Sequence, residues 1–208
     1  MKERPIIFSG PMVRAISKKR KTQTRRTTGL EDVNKNPDLW ELKSVRALNY
    51  MAKKSAKGKF GAYFHSEQIE DRTLSVCPQI CLYGGPGDRL WVKETFASLT
   101  ERLIIYRADD KGDKAVDVKW RPSIHMPRWA SRITLEIKNV RVERVRDISI
   151  DDIKAEGITM PAFDPDSDDK YPDPWEVWAD LWNSIYDERG YGWTKNPWVW
   201  VIEFAPSD

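Results

Sequence analysis

Apolar residues first gather at Ile6-Ile7-Phe8, a triplet after Pro5 that predicts a short strand. Pro11 with Met12, Val13 and Ile16 has the spacing of a short helix with proline at its start. Thr22 to Thr28 alternates and is rich in β-branched residues, as in an exposed or edge strand. From Gly29 to about Pro78 the pattern fades. Asn34, Asn36, Pro37 and a lysine cluster over 53–59 interrupt the apolar pieces, and Trp40 to Met51 is the one stretch that predicts a helix. The region, about 29–78, reads as an insertion on a smaller core.

Order returns after the turn cluster Tyr83-Gly84-Gly85-Pro86-Gly87-Asp88, with Arg89 to Glu94 alternating as a strand and Leu103 to Arg107 as another. Asp109 to Asp117 is a polar turn, and Trp120 to Trp129 is held in a loop by Pro122 and Pro127. Ser131 to Val145 alternates as a long strand whose phase slips near Asn139, the mark of a bulge. Ser149, followed by Asp151 and Asp152, opens a helix that Gly157 should close. Glu156 then sits in the last turn, where the helix dipole disfavours a carboxylate, so it needs another reason to be there. Residues 164–174 form an acidic, proline-rich loop expected to be mobile. Asp173-Pro174-Trp175-Glu176 starts a helix whose stripe of Trp178, Leu181, Trp182 and Ile185 reads first as core. Pro197 to Phe204 closes the chain as a strand. Alternating strands around two or three short helices define an α+β class with a curled sheet or small β-barrel, in a single domain over 1–208.

Charge changes the picture at one place. Residues 11–26 carry seven cations, Arg14, Lys18, Lys19, Arg20, Lys21, Arg25 and Arg26, and no acid. The whole chain is only +3, so subtracting these seven leaves −4 for the remainder. A local positive focus attracts phosphate or another anion, although a charge run also suits a solvated helix end. Lys21 and Thr24, three apart, bring an amine and a hydroxyl to one place. A sequence pI near 8.7 reflects nearly balanced totals and excludes a protein that coats nucleic acid generally.

Cys77 and Cys81 cannot build a disulfide framework, and their spacing, with His65 and His125 remote, makes no zinc site; no metal and no cofactor are expected. With no long apolar run and no signal peptide, the reading is a cytoplasmic protein with no membrane association, and a monomer. Ten tryptophans are many for 208 residues, and core filling accounts for most.

Six segments occur in an order that carries a resemblance. They are residues 8–14 (FSGPMVR), 21–26 (KTQTRR), 87–92 (GDRLWV), 123–130 (SIHMPRWA), 155–157 (AEG) and 198–204 (WVWVIEF). The chain resembles the ASCH-domain proteins, whose β-barrel is related to the PUA RNA-binding fold, and among them a set of phage and prophage proteins. The resemblance implies a PUA-like barrel in a bacterial host cytoplasm. Some small ASCH proteins are amidohydrolases that remove the acetyl group from N(4)-acetylcytidine with a Lys, a Thr three residues on and a later Glu. Lys21, Thr24 and Glu156 match those positions. The insertion, the Trp120–Trp129 loop and the acidic loop depart from the small hydrolases.

Two other functions fit the same motifs. A non-catalytic module that holds a modified or flipped base of RNA or single-stranded nucleic acid would stack it on Trp91 or Trp129, with Ser9, Gly10, Arg20, Arg25, Arg26 and Arg128 on base and phosphate. A ribonuclease would need His125 and Glu156 as acid and base.

Overall fold

The computed structural model describes residues 1–48, 59–72, 74–100, 103–110, 118–160 and 173–207. Strand β1 is Glu3–Ile7, and helix α1, Gly10–Ser17, follows with Pro11 in its first turn and Val13, Ala15 and Ile16 buried. Strand β2 is Gln23–Arg26 and the short helix α2 is Glu31–Asn34. Strands β3 (Glu41–Ala47), β4 (Phe60–His65) and β5 (Val76–Ile80) come next, then β6 (Arg89–Lys93), β7 (Phe96–Ser98) and β8 (Ile104–Tyr106). The long strand β9, Thr134–Arg144, leads into α3, Ile150–Ala155. Helix α4, Pro174–Tyr186, capped by the Asp173 carboxylate on the Trp175 N–H, and strand β10, Trp198–Pro206, complete the chain.

Five strands form the main sheet in the order β1-β6-β9-β10-β2, parallel between β1 and β6 and antiparallel elsewhere. Strands β3-β4-β5 make a second sheet and β7-β8 a third. The expected β-barrel is not there: all three sheets are open among the described residues. Strands β1 and β2 remain unpaired edges of the main sheet, and the link between them is a side chain, the Arg26 guanidinium donating to the Ile7 carbonyl at 2.9 Å. A single such bond leaves the rest of the seam unladdered, so closure fails there. The PUA-like barrel implied by the resemblance goes with it.

The main sheet is covered on both faces, and β10 shows how. Val199 and Val201 face Ile153, Trp178, Trp182 and Tyr186 of α3 and α4, whereas Trp200, Ile202 and Phe204 face the larger core with Phe8, Val13, Leu135 and Ile137. Ala62 and Phe64 of the second sheet join that larger core, Phe64 meeting Trp198 edge-on at 5.2 Å. The slip expected near Asn139 is a bulge at Lys138, opposite Glu203 and Phe204.

Trp40 to Met51 is not a helix where it is described. Residues 41–47 are strand β3, and the register skips Lys43, so a bulge puts Leu42 and Val45 on one face although they stand three apart. That spacing imitates a helical period. The strand expected over Thr22 to Thr28 is an edge strand but not an exposed one, for Gln23, Thr24 and Arg25 are buried. The acidic loop lies outside the described residues except at Asp173 and Pro174, as does most of the Asp109–Asp117 turn.

Candidate active site

Helix α1 ends at Lys18, and Lys19 takes a left-handed conformation with φ of 57° that reverses the chain. The N–H groups of Arg20 and Lys21 both then reach back to the Ala15 carbonyl, at 2.8 and 3.1 Å. This turn inserts Lys21 beneath the helix, where it is 2 % exposed. From the other side, Ser149 caps α3 by accepting from the Asp152 N–H, and the helix runs until Glu156, whose N–H bonds the Asp152 carbonyl. Gly157 stops it with φ of 85°. Lys21 and Glu156 meet as an isolated antiparallel bridge, extended by the Thr22 N–H donating to the Ala155 carbonyl at 2.8 Å. The end of α3 is thereby stitched onto the entry to β2.

Within this bridge the Lys21 ammonium donates to Glu156 Oε2 at 2.6 Å and to the Glu156 carbonyl at 2.9 Å. The carbonyl is one of the acceptors a helix end leaves free, which offsets part of the dipole penalty on the Glu156 side chain. Glu156 Oε1 accepts from Arg25 Nη1 at 3.1 Å. Arg25, 1 % exposed, also binds Glu143 through Nε at 3.1 Å and through Nη2, and Asp152 Oδ2 at 2.9 Å. Arg141 extends the network by bonding Asp152 at 2.7 Å, Glu143 at 3.1 Å and Glu203. A buried arginine with this many carboxylate partners is a fixed cation.

A cavity of about 250 Å³ opens beside the bridge, past the free edge of β2 and between α1 and α4. Lys21, Thr24, Arg25, Arg26 and Glu156 line one wall with Ser9, and Trp178, Leu181, Trp182, Ile185 and Tyr186 of α4 line another. Trp182 and Tyr186 stack at 4.1 Å with 24° between their planes. The Trp182 indole N–H bonds the Tyr191 carbonyl at 2.7 Å, but the buried Trp178 N–H has no acceptor.

Burial pulls the Lys21 pKa below its ordinary value, Glu156 opposes this, and the Arg26 and Arg25 charges assist it. Arg20, expected on base and phosphate, is not in the cavity wall: its guanidinium binds the Gly157 carbonyl at 3.2 Å and the Thr159 hydroxyl.

The sequence-derived candidates therefore separate. Ser9, Lys21, Thr24, Arg25, Arg26 and Glu156 share the cavity, with Gly10 next to Ser9 at the start of α1. Trp91, His125, Arg128 and Trp129 do not line it. Arg128 pairs with Glu3 at 2.9 Å and lies 6.0 Å from the Trp91 ring centre, on the β1–β6 side of the sheet, while Trp129 is 68 % exposed. His125 is exposed in a 3₁₀ turn and does not share a site with Glu156. Sequence reasoning missed Glu143, Asp152 and Arg141 as one network, and it read the α4 stripe as core without seeing that the same rings wall a cavity.

Cys77 is half-buried and Cys81 buried, both as free thiols, with burial pushing the Cys81 thiol up to about 11. Among the described residues no group of three or more His, Cys, Asp or Glu is placed to hold a metal ion. No helix among them is long and apolar enough to cross a membrane. No protein-family model, curated protein or solved structure matches the chain.

Proposed function

We propose that this protein is an amidohydrolase that removes an acyl group from the exocyclic nitrogen of a pyrimidine base or nucleoside, N(4)-acetylcytidine being the type, with Lys21, Thr24 and Glu156 as its working groups. The observation that carries the reading is the 2.6 Å contact of the Lys21 ammonium with Glu156 in the wall of a cavity that Thr24 also lines. Residues 135 apart in sequence meet there, and structural need alone seldom buries a lysine and a glutamate together. The six segments that resemble ASCH proteins support the same reading.

The chemistry follows from the charges. The reacting form is the neutral Lys21 amine, which burial makes accessible at lower pH than for an exposed lysine, and that amine takes up the Thr24 hydroxyl proton. The Thr24 oxygen bonds to the acyl carbon, the C–N bond breaks, and the departing amine takes the proton back from Lys21. Water then attacks the resulting ester and gives one proton to Lys21, which passes it to the departing Thr24 oxygen; the acyl group leaves as the carboxylic acid and loses its remaining proton to solvent, becoming the carboxylate. Glu156 holds Lys21 in place throughout, itself held by Arg25.

The cavity sets the size of the substrate. At about 250 Å³ it falls below the roughly 300–1,000 Å³ of sites for drug-sized ligands. That suits one heterocycle with a short acyl group, and the stacked Trp182 and Tyr186 rings give it a planar wall. Arg25 itself is enclosed by carboxylates and has no free face for a phosphate.

The test is to incubate the purified protein with N(4)-acylated cytosine and cytidine and with acetylated RNA, and to follow mass loss of the acyl group. Turnover of the small substrates, abolished by Lys21→Ala, is the expected result. No turnover of any acylated pyrimidine would end the reading.

A further inference from the structure

Arg26 is the cation of the cavity wall that the protein does not neutralise. Lys21 and Arg25 both have carboxylate partners, and between them they engage both oxygens of Glu156. Among the described residues no carboxylate stands within ion-pair reach of Arg26. Its guanidinium donates to the Ile7 carbonyl at 2.9 Å and lies 5.2 Å from the Phe8 ring centre. Both contacts hold the group in place and neither carries a full negative charge. A guanidinium has five N–H donors in a planar fork that matches a carboxylate or phosphate, and half-buried charges are ordinarily paired.

We propose that the ligand of this cavity places an anionic oxygen group, a carboxylate or a phosphate, on Arg26. The proposal rests on the reading of the cavity as a substrate site and not on the reaction run there. Two sources present that chemistry: the carboxylate released by amide hydrolysis, held before it leaves, and the phosphate of a nucleotide in place of a nucleoside. In either case Arg26 sorts ligands by charge, whereas Lys21, Thr24 and Glu156 act on a neutral amide.

Binding of acetate, cytidine 5′-monophosphate and cytidine to the 208-residue chain, measured by calorimetry, tests this without reference to turnover. Acetate or the monophosphate is expected to bind the wild type and to bind Arg26→Gln at least tenfold more weakly, with Arg26→Lys between the two. Cytidine, which carries no anionic group, is expected to lose less affinity on Arg26→Gln than the anions do. Tighter binding of the monophosphate than of cytidine assigns the phosphate, and acetate binding without that preference assigns the acyl carboxylate. Should Arg26→Gln fail to fold, the Arg26 side-chain N–H resonances of the wild type, followed during an acetate or monophosphate titration, give the answer directly, a shift supporting the contact. Cytidine binding with no anion effect overturns the Arg26 proposal and leaves the substrate-site reading standing, and no binding of any of the three overturns both. Anion binding intact in a protein that hydrolyses no amide strikes the reaction and spares this proposal.

Discussion

The Glu156 carboxylate lies 2.6 Å from the Lys21 ammonium, with both side chains almost wholly removed from solvent, at 4 % exposure for Glu156 and 0 % for Lys21. Taking both charges out of water costs several kcal/mol per ion, and their attraction offsets this only while both are present. Glu156→Ala leaves Lys21 and one arm of Arg25 without a counter-ion. It should cost about 3–5 kcal/mol of stability, read as a fall in the urea midpoint at constant slope. A loss below 1 kcal/mol would mean that water reaches the pair.

Lys21→Ala and Thr24→Ala should each lower turnover of an acylated cytidine at least a hundredfold, as removal of a base or nucleophile does. Circular dichroism checks that the variants remain folded. Thr24→Ala divides the possibilities further, for activity that survives it assigns the attack to water, with Glu156 as base and Lys21 as the electrostatic partner.

The pH dependence follows from the direction of the Lys21 shift. Burial holds the Lys21 pKa in the folded protein below its unfolded value, which is near 10.4. Between those values the unfolded chain binds the extra proton, so the Lys21 contribution to stability rises with pH across that window and is least favourable below it. Activity that needs the neutral amine climbs over the same range, with an apparent pKa under 10.5. Arg26 is one of the charges that lower it, so Arg26→Gln should move the rising limb to higher pH. A limb that stays in place would remove Arg26 from the electrostatics of Lys21.

Gly157→Ala tests the positioning of the bridge. Gly157 has φ of 85°, and a Cβ there would stand 2.9 Å from both Ala15 Cβ and Lys21 Cβ. The strained backbone costs about 1–3 kcal/mol, and contact with Lys21 displaces the amine. Turnover should fall by more than the loss of folded protein explains, which a kcat measured per folded molecule detects. An unchanged kcat would show that Lys21 tolerates the shift.

What could be read in the chain depended on the range of each signal. Strands β1, β6 and β10, the Ser149 cap, the Gly157 stop and the Asp173 cap follow from residues within a few positions of one another, and all were legible. Lys21 and Thr24 were legible as a local pair. Glu156 was flagged by its unfavourable place at a helix end, and the Lys21 and Arg25 contacts supply the reason. Barrel closure was not legible, because alternation describes a strand's faces and says nothing of whether the outer edges of a sheet meet. Strand β3 was misread because a bulge at Lys43 gives Leu42 and Val45 a helical spacing. The partners of Arg25 come from β9 and α3, 118 to 131 residues away, and no pattern within β2 announces them.

Trp178 offers a test in which stability and binding should move in opposite directions. Its indole N–H is buried without an acceptor, while its ring packs on Trp182 at 5.7 Å and lies 5.7 Å from the Arg25 guanidinium. An unsatisfied buried donor is a standing cost of about 1–3 kcal/mol in the free protein. Trp178→Phe removes that donor and keeps an aromatic ring, although the smaller ring gives back some packing. The free protein should be unchanged or up to about 1 kcal/mol more stable. A ligand whose acceptor satisfies the N–H should bind the variant about three- to tenfold more weakly, the effect of one neutral hydrogen bond, and KM for an acylated cytidine should rise with little change in kcat. Thermal unfolding of the free variant beside the KM measurement separates the two effects. A destabilised variant with unchanged KM would make Trp178 a core residue, as its helical spacing alone implied.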